Sequence, residues 1–142
     1  MVNTQTITSS TLIDGVFACP GSEVIFTCKT RGSGAIAWRS EDYIGGGNAQ
    51  LILSSDVTTT SSASNTTAML TREYNDDGEL VLESTLRIIA SSTFPTSSVT
   101  CVNVLENRVV VVNFAILGKC FCVVCHVHII LSGYIDLVAL PF

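Results

Sequence analysis

Apolar and polar residues alternate along Glu23-Val24-Ile25-Phe26-Thr27-Cys28, so Val24, Phe26 and Cys28 share one face of a strand and Ile25 and Thr27 the other. The same two-residue period returns at 80–89, where Leu82, Leu86 and Ile88 keep one face while Glu83 and Arg87 take the other. The face of that segment that packs on a core is therefore defined. Further strands are predicted at Ala35-Ile36-Ala37-Trp38-Arg39, at 51–53, at 69–74, at Ser98-Val99-Thr100-Cys101-Val102 and along the β-branched run 108–117. Val16-Phe17-Ala18-Cys19 reads as a short strand, and residues 6–12 as a first edge strand. No stretch carries the 3.6-residue period of a helix, and no segment repeats.

Turn residues separate these runs. Pro20-Gly21 halts the short strand, since proline presets one dihedral and glycine tolerates the next. Arg31-Gly32-Ser33-Gly34 makes a flexible connection, and Gly45-Gly46-Gly47 a turn; no helix and no Walker lysine follow that triplet, so it does not read as a phosphate loop. Asp77-Gly78 is a hairpin signal, because both residues accept positive φ. Thr93-Phe94-Pro95-Thr96 is a crossing segment, and Glu106-Asn107 turns the chain into its last strand. Residues 54–67 are small and polar, and read as a loop or ragged edge that carries the glycosylation sequon Asn65-Thr66-Thr67.

Cysteine, tryptophan, cysteine is the order of Cys28, Trp38 and Cys101, each on its own short strand. Over residues 12–118 the chain resembles the immunoglobulin-like domains, in which a disulfide joins two facing sheets with an indole packed against it. The resemblance implies an all-β, immunoglobulin-like two-sheet Greek-key sandwich of eight or nine strands, of variable-like or intermediate type, with Cys28 bonded to Cys101 and Trp38 beside the bridge. A bridge closing 73 positions would stabilise by roughly 4 kcal/mol through the unfolded chain and would persist only in an oxidising compartment. No zinc motif has that spacing. The resemblance further implies an extracellular or cell-surface recognition or adhesion module with a protein ligand. Its rival is a structural spacer that contacts neighbouring domains of a longer ectodomain. Candidate contacts are Arg31, in the loop before the tryptophan strand, and Leu105, Glu106 and Asn107, in the hairpin before the last strand. The chain departs from the family pattern ahead of the second cysteine. Pro95, Ser97 and Val99 stand where Asp, Gly and Tyr are usual, so the tyrosine corner is absent.

Composition narrows the function further. The chain has 142 residues, enough for one domain with a real core; 47% are hydrophobic and only 13% charged, so Ser and Thr cover the surface. A net charge of -5 with seven scattered Lys and Arg argues against a nucleic-acid partner. Both histidines, His126 and His128, lie near the C-terminus, so no Ser-His-Asp arrangement is expected within 12–118. Glu41-Asp42 and Asp76-Asp77 are neighbours in turns and read as solvated acids. A non-enzyme with no cofactor is the expectation.

Three segments result: a polar lead-in at 1–11, the domain at 12–118, and a hydrophobic Cys/His-containing tail at 119–142. Met1-Val2-Asn3-Thr4-Gln5-Thr6 has neither a basic start nor an apolar run, so it does not read as a signal peptide, and a fragment of a longer ectodomain is expected. The tail has three readings. Cys120, Cys122, Cys125, His126 and His128 are zinc-type ligands strung on one short run, whereas stable sites draw on two segments, so no metal is assigned. Residues 120–140 are long enough for a single membrane span, against which stand Asp136, the histidines and the absence of Lys or Arg after Lys119. The third reading is a truncated terminus that packs opportunistically. Finally, Cys19 ends a strand that in this fold runs parallel to the last one, so it either bridges to Cys120 or is a buried free thiol.

Overall fold

The computed structural model describes residues 5–32, 34–62, 65–118 and 120. Among the described residues ten strands follow one another: β1 (Gln5–Thr8), β2 (Phe17–Ala18), β3 (Glu23–Arg31), β4 (Ile36–Arg39), β5 (Leu51–Leu53), β6 (Thr59–Ser62), β7 (Thr66–Tyr74), β8 (Leu80–Ile89), β9 (Thr96–Asn103) and β10 (Arg108–Ile116). They form two five-stranded sheets, in the orders β1-β3-β8-β7-β6 and β2-β10-β9-β4-β5. The protein is an all-β sandwich.

The predicted phases hold. Val24, Phe26 and Cys28 of β3 and Leu82, Leu86 and Ile88 of β8 are fully buried, and they meet Ile36 and Trp38 of β4, Val99 and Cys101 of β9, and Phe114 of β10. Alternation on one strand finds alternation on the strand facing it, so the core fills from both sheets. The predicted strands are mostly longer than expected: β3 runs to Arg31, β7 starts at Thr66 and β9 spans Thr96–Asn103. Each end is extended by ladder pairs such as Arg31 with Val81 and Thr67 with Arg87, which need a partner edge and no apolar side chain.

Two differences from the expected eight or nine strands have clear causes. The leading edge is split: β1 pairs antiparallel with β3 in one sheet, while β2 pairs parallel with β10 in the other. Between them the chain crosses the sandwich edge, held where Ser9 donates to the Ile25 carbonyl and Thr11 accepts from the Ile25 N–H. So the first strand, Gln5–Thr8, lies inside the segment read as a polar lead-in, and only two residues fall within the stretch 16–19. Secondly, the polar stretch read as a loop contains β6, which pairs with β7 through Thr59 to Ser62. Its burial alternates only between exposed and half-buried, so no hydrophobic period announced it.

Candidate functional site

The centre of the sandwich is a closed ring of four residues. Cys28 and Cys101 are bonded, with Cα atoms 6.5 Å apart. Trp38 stands opposite Cys101 in its own sheet, and Ser84 opposite Cys28 in the other. The indole N–H of Trp38 donates to the Ser84 hydroxyl at 2.8 Å, and that hydroxyl donates to the Met69 carbonyl at 2.6 Å. A covalent link and a buried hydrogen bond therefore cross between the sheets side by side. A buried indole N–H needs an acceptor, and Ser84 supplies it where a hydrophobic residue would leave it bare. The sequence marks Ser84 as inward by its phase between Leu82 and Leu86; it does not name its partner.

A second anchor stands where the tyrosine corner is missing. Tyr43, from the connection after β4, stacks on Phe114 with ring centroids 6.0 Å apart and meets Phe94 edge-on at 5.4 Å. Its hydroxyl accepts the Ser91 N–H at 3.1 Å, in the β8–β9 connection. An aromatic from another element thus holds that corner. Ser97 donates to Asp42 at 2.7 Å, which ties the same connection to β9 and gives one carboxylate of the Glu41-Asp42 pair a structural partner.

The candidate contact residues occupy one end of the sandwich, where the β3–β4, β7–β8 and β9–β10 connections gather. Arg31 is not in a loop: it is the last residue of β3, paired with Val81 and forming an ion pair with Glu79 at 3.6 Å. The β8 ladder carries β3 beyond the point at which glycines suggested a turn. Glu106 pairs with Arg108 at 3.6 Å and its N–H donates to Asn103 at 3.2 Å, while Asn107 adopts φ 54°, so both hold the hairpin. Asn103 in turn donates to Thr30 at 3.0 Å across the buried gap between the sheets. Leu105 remains strongly exposed.

The two outer faces differ in kind. On the first sheet Lys29 pairs with Glu83, its direct cross-strand neighbour, Arg87 with Glu23, and Arg31 with Glu79, a solvated charged surface. On the second sheet the outward residues Val109, Val102, Ala37 and Ile52 stand opposite one another across β10, β9, β4 and β5. Val111 follows on β10, beside Thr100 and Arg39. Val109, Val111 and Ile52 are about half exposed, whereas Val102 and Ala37 between them are buried. Arg39 donates to Gln50 at 3.1 Å, and among the described residues no carboxylate pairs with it.

Asn65 is exposed, in a turn immediately before β7, at φ 61°. Cys19 is bonded to Cys120, with Cα atoms 5.6 Å apart, at the end where β2 lies beside β10. Two bridges point to an oxidising, extracellular-type environment. Among the described residues no group of three His, Cys, Asp or Glu is placed to hold a metal, and no helix is long and apolar enough to cross a membrane. The zinc and membrane readings of the tail, with Lys119, Cys122, Cys125, His126, His128 and Asp136, lie outside the described residues. No family model matches the chain, and no curated protein matches its sequence.

Proposed function

We propose that this chain is a non-enzymatic, immunoglobulin-like extracellular module that recognises a protein partner through the outer face of the β2-β10-β9-β4-β5 sheet. The family reading is supported by the strand order, by the bridge between β3 and β9, and by the tryptophan on β4. The variable type carries two extra strands beside its tryptophan strand. Here β5 lies there, whereas β6 has joined the opposite sheet, which fits the intermediate type better.

One observation carries the recognition reading: the row Val109, Val102, Ala37 and Ile52 is apolar across four strands while the opposite face is ion-paired. Antiparallel sheets commonly expose a polar face to water; here Val109 and Val111 on one side and Ile52 on the other are about half exposed around the buried Val102 and Ala37, and exposed apolar side chains on such a face support an interaction surface. Arg39 beside the row supplies a cation for a partner's carboxylate.

Beads coated with the disulfide-bonded chain test this against one another and against intact cells. Protease-sensitive binding is expected, weakened at least about thirtyfold by Val109→Glu in the apolar row. Thr85→Glu, on the opposite face, should leave it unchanged. Absence of binding, or equal loss with both variants, removes the reading and favours a spacer.

A further inference from the structure

The β7–β8 hairpin extends past the end of the sheet it packs on. Along β7 the residues of inward phase are Thr66, Ala68, Leu70, Arg72 and Tyr74; the first three are buried and the last two exposed. β5 stops at Leu53, and beyond it only the small side chains of Ser54 and Ser55 line this space, so no large side chain from that segment fills the overhang. Leu80, the cross-strand partner of Tyr74, continues the uncovered surface. Opposite it stand Val104 and Leu105 of the β9–β10 connection and Gly34 and Ala35 of the β3–β4 connection. The gap is a cleft of about 680 Å3, within the usual range for ligand sites.

Its walls are fixed. The Val104 N–H donates to the Ala35 carbonyl at 2.9 Å, and Arg72 Nη2 donates to the Gly34 carbonyl at 3.4 Å. Gly34 has φ +115°, and a Cβ there would stand 2.9 Å from Leu105 Cβ, so the glycine is what lets Leu105 seat against the β3–β4 connection.

Among the described residues Arg72 is the only ionic one in the lining of the cleft, and no carboxylate pairs with it. Lys29, Arg31, Arg87 and Arg108 each have a glutamate. Of the described cations only Arg39 and Arg72 lack an acid; Arg39 donates to Gln50, while Arg72 lies in a cleft with Tyr74, Leu80 and Leu105. One of its five N–H donors serves Gly34, and the fork that remains matches a carboxylate.

We infer that this cleft binds a partner protein's side chain, an aliphatic or aromatic group held among Tyr74, Leu80 and Leu105, with an adjacent carboxylate on Arg72. The site is separate from the outer sheet face, so each can fail without the other.

The test is a methyl-detected NMR titration of the full, disulfide-bonded chain with N-acetyl-leucine, which has both groups, and with its uncharged amide. Methyl signals of Leu80, Val104 and Leu105 should shift saturably, with a Kd on the order of millimolar for so small a probe. The amide should bind about tenfold more weakly. Arg72→Gln should abolish the difference between the probes while preserving residual apolar binding, and Leu105→Ala should weaken both. Val109→Glu, which tests the sheet face, should leave the titration unchanged. Equal affinities for the two probes, a probe difference that survives Arg72→Gln, or no shift because the chain's own residues fill the cleft would each overturn the inference.

Discussion

At the scale of single residues, the buried polar contacts carry more consequence than the apolar ones beside them. Ser84→Ala leaves the Trp38 N–H buried with no acceptor, and an orphaned donor costs about 1–3 kcal/mol. Urea unfolding followed through Trp38, the single tryptophan, should show that loss; a change below about 0.5 kcal/mol would mean that the indole finds another acceptor. Asn65 belongs to the same scale. Secretion from glycosylating cells should yield a chain whose mass falls on glycosidase treatment, and Thr67→Ala should abolish that fall. Thr67 is the better position to change, because Asn65 sits at positive φ, which asparagine tolerates and most residues do not. An unmodified chain would remove the glycosylation proposal.

At the scale of elements, the end of the sandwich that holds the cleft depends on one close approach. Gly34→Ala both forces a side chain into φ +115° and drives its Cβ against Leu105, so a loss of about 1–2 kcal/mol is expected. Adding Leu105→Ala cannot relieve the backbone strain, and its own Cβ remains at the clash, so recovery in a double-mutant cycle should be partial at most. Full recovery would show that only the outer atoms of Leu105 conflict. The same scale shows how far periodicity reaches. The phases of β3 and β8 were legible because each buries one face, whereas β6, with Thr and Ser on both faces, is a strand only because the edge of β7 was open.

At the scale of the whole molecule, the two bridges have different weights. Cys28–Cys101 closes a 73-residue separation at the core, and Cys19–Cys120 spans 101. With the inner bridge intact, the outer one constrains only the segments 19–28 and 101–120 in the unfolded chain, so replacing Cys19 and Cys120 together by Ala should cost about 3 kcal/mol. Guanidinium unfolding of the non-reduced protein measures it. A cost near zero would show that the outer bridge adds strain equal to its entropic gain.

The sequence alone determined where most strands lie and which of their faces turn inward, because a period of two is written locally and only burial can use it; that Cys28, Trp38 and Cys101 meet in one core was what the resemblance implied, and the packed sheets bring them together. Tertiary structure decided the rest. That Ser84 receives the indole, that Tyr43 holds the corner, that the leading edge divides between sheets, and that Arg31 ends a strand all depend on which edges and faces meet across tens of residues. The apolar row on the second sheet was present in the sequence as Val109, Val102, Ala37 and Ile52, but only the register of four strands sets them side by side. The cleft at Arg72 exists because β7 is longer than the strand facing it, a difference of two lengths that neither segment contains by itself.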